Sequence, residues 1–216
     1  MFGAAVEAGE DARALQQIGT KLRVSRNKTI FNEGDPAEYS YKVVSGTVRL
    51  CKHMTDGRRQ IAQFLFPGDF FSFADFGEHS FTAEAVTDVV LVSYAQRQVA
   101  QLCEERRSVN QRLLTFLSQR ICAMQDHLIL LGCQAAKGRI ASFLLQLSEQ
   151  TGSEEDQLFD VPMSRLDIAD YLGLRIETVC RVLSEMKRMR VIDMLDVHQF
   201  ELLDSDTLQA LADGEE

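Results

Sequence analysis

Between residues 30 and 94 apolar positions come in short runs, each closed by a turn signal. Residues 39–44 (YSYKVV), 47–51 (TVRLC), 59–66 (RQIAQFLF) and 81–94 (FTAEAVTDVVLVSY) are rich in Val, Ile, Phe and Tyr. These residue types fit a pleated, half-buried surface, so the runs predict strands. Gly34-Asp35-Pro36, Ser45-Gly46, Asp56-Gly57 and Pro67-Gly68 punctuate them. Asp56-Gly57 predicts a type I′ hairpin, because glycine accepts the positive φ that turn requires. Many short strands at this spacing predict a sandwich or barrel.

The period then changes. Leu117, Ile121, Met124, Leu128 and Leu131 step by 4, 3, 4 and 3 within a helix expected over about 106–131. That is a heptad seam. It suits either the core-facing stripe of a monomer or packing along a like helix. A barrel followed by one long helix leaves little else to cover it, which favours a homodimer. Gly132 is expected to end the helix. Residues 133–150 (CQAAKGRIASFLLQLSEQ) predict another helix, and 151–162 (TGSEEDQLFDVP) a loop.

Two short apolar-patterned segments then meet at Gly173. Ser164 is a candidate N-cap with Asp167 three residues on, a capping-box pattern. Ile168, Ala169 and Leu172 form the stripe of a first helix, and Leu174 follows as a plug. Val179, Val182, Leu183 and Met186 form the buried face of a second. Helices joined by a short glycine-containing turn predict a helix-turn-helix, whose second helix enters the DNA major groove. On the opposite face lie Ile176, Glu177, Cys180 and Arg181. Arginine bonds guanine O6 and N7 together, and a carboxylate accepts from cytosine N4. Glu177 and Arg181 are four residues apart. Alone, that spacing reads as a helix-surface salt bridge. Inside this pattern it reads as a pair addressing one G·C base pair.

The formal net charge of −9 is unusual for a chain that meets DNA, but its placement matters more than its sum. Eight acidic residues and no basic one lie from Asp193 to Glu216, and the rest of the chain is close to neutral. From Ser164 to Arg190 six basic residues face four acidic ones, so a local basic surface is expected. The 216 residues suffice for one large domain or two small ones, and 45% hydrophobic content is ordinary for a globular protein. No apolar run reaches the roughly 18–20 residues that span a bilayer. The first residues, MFGAAVEAGEDARALQQIG, lack the basic and apolar regions of a secretory signal, which predicts no membrane partner and a cytoplasmic protein. Cys51, Cys103, Cys122, Cys133 and Cys180 are scattered, with no C-x-x-C. They predict reduced thiols, mostly packed as small apolar residues, rather than disulfides or a zinc site.

With these residues together, the chain resembles the Crp/Fnr family of bacterial transcription regulators. IADYLGLRIETVCRVLSEMK carries the resemblance, with the E-x-x-x-R of Glu177 and Arg181 its most specific mark. NEGDPAEYSYKVVSGTVRL, DGRRQIAQFLFPGDFF and FTAEAV resemble the family's effector domain, and YKVVSGTVR and DGRRQI its FixK-like branch. The resemblance implies an α+β chain. Residues 1–105 would form a β-roll like the jelly roll of cyclic-nucleotide-binding domains, 106–133 a dimerisation helix, and 134–216 a winged helix-turn-helix domain. It implies a homodimer, joined through Leu117, Ile121, Met124, Leu128 and Leu131, on double-stranded DNA with TTG and CAA arms. Glu177, Arg181, Ile176 and Cys180 would meet bases; Arg175, Lys187, Arg188 and Lys137 would meet phosphates. Activation would go through RNA polymerase, contacted by residues 152–158 and by a second surface at 75–79. DMLDVHQFELLD would be the wing. The family's glycines at the position of Arg190 and in the wing turn are absent, which leaves the wing's geometry open.

The family's cyclic-AMP site needs an arginine, and FSFADFGEHSFTAEA (71–85) has none. An oxygen-labile iron–sulfur cluster needs a group of N-terminal cysteines, and none precedes Cys51. His79 sits where a haem-binding relative carries an axial ligand, but a lone loop histidine reads first as solvated. No cofactor is therefore expected. Cys180 reads first as a small residue at the DNA surface. Beside Arg181, it is also a candidate oxidisable thiol. Two other classes fit the sequence less well. A β-roll module regulating a partner protein is disfavoured by the helix-turn-helix. An enzyme is disfavoured because no nucleophile–base, metal-ligand or phosphate-loop pattern is visible.

Overall fold

The structure, a computed structural model, describes residues 10–72, 77–152 and 157–214. The order is α1 (Glu10–Ile18), β1 (Gly19–Val24), β2 (Thr29–Phe31), β3 (Tyr39–Ser45), β4 (Val48–His53), β5 (Arg59–Leu65), β6 (Phe70–Phe71), β7 (Thr82–Ala85), β8 (Val89–Ala95), α2 (Gln96–Glu105) and α3 (Arg107–Cys133). Then come α4 (Ala136–Thr151), β9 (Leu158–Asp160), α5 (Arg165–Leu172), α6 (Ile176–Arg188), β10 (Ile192–Met194), β11 (Gln199–Leu202) and α7 (Ser205–Asp213). The chain forms two compact units, 1–122 and 123–216, and α3 runs through the division.

The first unit is the β-roll. Two four-stranded antiparallel sheets, β1-β8-β3-β6 and β2-β7-β4-β5, enclose Phe31, Val43, Val48, Leu65, Phe71, Ala83, Ala85, Val89 and Leu91. Period-two alternation sends these side chains inward, and each large one buried contributes roughly 1.5–3 kcal/mol. The Asp56-Gly57 hairpin is not type I′. Thr55 and Asp56 keep negative φ, Gly57 N–H donates to Met54 O at 3.0 Å, and Gly57 alone is left-handed at φ 83°. It is a three-residue loop, which needs one left-handed residue instead of two. Residues 81–94 are two strands; β2 and β6 lie in the expected β region but outside its four runs, and α1, β1 and α2 lie where no element was expected.

α3 lies within the 106–133 span that the resemblance implied, but Gly132 does not end it: the helix continues to Cys133. Its 27 residues extend about 40 Å at 1.5 Å per residue. On its seam Ile121, Met124 and Leu128 are 56%, 61% and 68% exposed, while Leu117 and Leu131 are half-buried. The seam is therefore not a core stripe of the chain itself.

In the second unit α4, α5 and α6 pack through Ile140, Leu144, Ile168, Leu172, Val179 and Leu183. The strands β10, β11 and β9 form a small antiparallel sheet. The expected loop at 151–162 thus contains β9. The acidic stretch after residue 192 is folded: it supplies the sheet and then α7, whose Leu208, Leu211 and Ala212 are buried.

Candidate nucleic-acid interface

The helix-turn-helix is built from local signals. Ser164 caps α5, accepting from Asp167 N–H at 3.1 Å, while Asp167 Oδ2 accepts from Ser164 N–H at 3.0 Å. α5 ends at Gly173, left-handed at φ 63°, where any other residue is strained. Arg139 of α4 fixes the corner: its Nη1 donates to Leu172 O at 3.1 Å and its Nε to Gln134 O at 2.9 Å. α6 then buries Val179, Val182, Leu183 and Met186, the four residues expected. Half-buried Leu174 sits at the turn.

The other face of α6 is open. Ile176, Glu177, Cys180 and Arg181 are all exposed, and Arg175, Lys187 and Arg188 extend the same surface. Ser184, exposed one turn beyond Cys180, belongs to this stripe too; only its helical spacing from Cys180 and Arg181 marks it in the sequence. Its hydroxyl donates to Cys180 O at 2.8 Å. Among the described residues no salt bridge joins Glu177 to Arg181, and neither makes another side-chain bond. The helix-surface salt bridge is not formed, so both heads are available to an incoming partner.

Two of the four phosphate candidates are differently placed. Lys137 Nζ lies 2.7 Å from Glu185 Oε1, and Lys187 Nζ lies 2.6 Å from Asp193 Oδ1. The Lys137 hydrogen bond and charge hold the Glu185 carboxyl below its ordinary range, as Lys187 does for Asp193. Arg175 and Arg188 make no salt bridge among the described residues.

The wing forms without its glycines. Arg190 adopts the left-handed conformation at φ 59°, and Val191 N–H reaches back to Met186 O at 3.0 Å. Arginine takes this conformation at a cost of about 1–2 kcal/mol that glycine avoids. In the wing turn Asp196 Oδ1 accepts from His198 and Gln199 N–H at 2.6 and 2.8 Å. The carboxylate closes the turn through hydrogen bonds rather than through glycine's backbone freedom.

In the β-roll, His79 is not solvated. It is 6% exposed, stacked on Phe31 with centroids 3.5 Å apart, and its Nδ1 lies 2.8 Å from Ser72 Oγ. Burial lowers its pKa. Phe31, Tyr41 and Phe71 complete the stack. Cys51, His53 and Glu84 also approach within 4.8 Å of one another. Burial pushes the Cys51 thiol up to about 11, and Arg49 holds Glu84 at 2.8 Å, so this group disfavours a metal ion. Cys180 and Cys122 are exposed, against the expectation that most thiols are packed, and no described cysteine is disulfide-bonded. No described helix is long and apolar enough to cross a membrane. Of the two expected polymerase surfaces, 153–156 and 75–76 lie outside the described residues; Gly77 and Glu78 are exposed, and His79 is buried.

Residues 21–106 match the cyclic nucleotide-binding domain, and residues 138–211 the Crp-like helix-turn-helix domain. The nitrogen fixation regulation protein FixK of Bradyrhizobium diazoefficiens is 35% identical over 204 residues, covering 94% of this chain and 86% of that protein. FixK of Azorhizobium caulinodans is 36% identical over 211 residues, covering 96% and 85%. The structure of FixK2 from Bradyrhizobium japonicum aligns with TM-score 0.86 and 33% identity, over 90% of this chain and 97% of that one.

Proposed function

The chain belongs to the Crp/Fnr family of DNA-binding transcription regulators, and on that premise we propose that it activates transcription as a homodimer on a palindrome with TTG and CAA arms. It is not an enzyme. The observation that carries the reading is the exposed, unpaired Glu177 and Arg181 on α6, above a helix-turn-helix held rigid by its cap and corner. Arg181 bonds guanine in each arm, and Glu177 accepts from the paired cytosine. Ile176 or Cys180 touches a thymine methyl. Arg175 and Arg188 take phosphates directly, and Lys137 and Lys187 do so after parting from Glu185 and Asp193.

A second copy of the chain covers the α3 seam. Support comes from Ile121, Met124 and Leu128, more than half exposed at heptad spacing. Two copies also match the two-fold symmetry of a palindrome. The protein works in the cytoplasm without cyclic nucleotide or iron–sulfur cluster. Support against a cyclic nucleotide comes from the stack of Phe31, Tyr41, Phe71 and His79 inside the roll, and from residues 71–85, which offer no arginine to a phosphate. RNA polymerase is contacted through 152–158 and through the second surface at 75–78, in which buried His79 takes no part.

Selection from random duplex DNA tests the reading. It is expected to recover two inverted TTG-containing arms about one helical turn apart. Recovery of asymmetric sites, or of no preferred sequence, contradicts it.

A further inference from the structure

On the side of the β1-β8-β3-β6 sheet away from the roll core, α1, α2 and the start of α3 enclose a cavity of about 60 Å³. Its walls are almost wholly apolar and include Phe70 from the sheet, Val99 from α2, and Leu113 and Phe116 from α3. Strand alternation separates it from the interior, since neighbouring Phe71 points into the roll core.

Arg112 sets this cavity apart. Its side chain is 39% exposed, which places it at the mouth, yet its Nη1 is buried and has no hydrogen-bond partner. Asp11 does not satisfy it. The Asp11 carboxylate lies 3.7 Å from Arg112 Nε, beyond the roughly 2.7–2.9 Å of a charge-assisted hydrogen bond. Asp11 is also shared: it accepts from the Ser108 hydroxyl at 3.0 Å and lies 3.6 Å from Arg106. A buried donor without an acceptor is a standing penalty, and an entering acceptor removes it.

We propose that this cavity binds a short-chain aliphatic carboxylate. The carboxylate meets Arg112, whose planar fork matches two oxygens. The tail lies against Val99, Leu113, Phe116 and Phe70. The volume limits its length: a cavity of about 150 Å³ holds the six carbons of benzene, so about 60 Å³ holds a tail of about two or three carbons, with the carboxylate at the mouth beside Arg112.

Isothermal titration of the full-length chain with sodium butanoate tests this, with 1-butanol as the uncharged control. Saturable binding of one butanoate per chain is expected, at least tenfold weaker for butanol and for Arg112→Leu. Val99→Phe keeps the arginine but fills the cavity, and is expected to lose binding. Circular dichroism checks the fold of both variants, and if Arg112→Leu does not fold, the butanol and Val99→Phe arms decide. No saturable binding to the wild type, equal affinity for butanol, or wild-type affinity in folded Val99→Phe overturns the proposal.

Discussion

Leu128→Glu places a carboxylate at the most exposed position of the α3 seam. Leu128 is 68% exposed in the single chain, so most of its side chain remains to be buried by a second copy. Full burial of a leucine contributes roughly 1.5–3 kcal/mol, so this position supplies about 1–2 kcal/mol per chain. Both copies lose that in a dimer, together about 2–4 kcal/mol, and desolvation of the two carboxylates adds to the loss. At about 1.4 kcal/mol per tenfold, the dimer is weakened by roughly a hundredfold or more. Sedimentation velocity over a concentration series reads the shift, and a gel-shift titration on the palindrome reads its effect on DNA binding. The thermal midpoint of the single chain is expected to move little, since Leu128 contributes little to the chain's own core. A variant that sediments as a dimer and binds DNA like the wild type refutes the assignment of the seam.

Other outcomes follow from the α6 surface and the loops around it. Asp193→Asn removes the carboxylate that holds Lys187 at 2.6 Å; DNA of all sequences is expected to bind more tightly, with a salt dependence steeper by about one unit per half-site. Unchanged affinity and slope would show that Lys187 does not meet a phosphate. Peroxide treatment is expected to weaken DNA binding by the wild type, because a sulfinate or sulfonate at exposed Cys180 adds negative charge facing the phosphates, and to spare Cys180→Ser. Equal sensitivity of the two proteins removes Cys180 from that role. Alanine at Glu154 and Glu155 is expected to lower transcription in a reconstituted assay while DNA affinity stays intact; equal losses in both would point to misfolding or DNA contact.

Where apolar residues recur with a clear period, the sequence was enough to place the elements. The strands around Val43, Val48 and Leu91, the helix carrying Leu128, and the two helices joined at Gly173 all lie where the pattern put them. β1 was not legible because GTKLRV pairs at a sheet edge, its Leu22 is 39% exposed, and it has no buried face to imprint a period. α7 was hidden by its charge: Leu208, Leu211 and Ala212 have helical spacing, but the surrounding acids read as a tail. In the candidate interface, residue types and their shared face were readable from α6 alone. The partners of Lys137 and Lys187 were not. Glu185 lies 48 residues from Lys137, and Asp193 meets Lys187 across the end of α6, where Arg190 is left-handed. Such pairings belong to tertiary geometry, which local patterns do not encode.

The proposed function rests most directly on Arg181 reading a guanine in each arm. Wild type and Arg181→Ala are titrated against the palindrome and against versions with that G·C pair replaced, at fixed salt. Arg181→Ala is expected to lose about 1–3 kcal/mol per half-site on the palindrome and no longer to distinguish the replaced base pair. If Arg181→Ala still discriminates as sharply as the wild type, Arg181 is not the base reader and the assignment of α6 is contradicted.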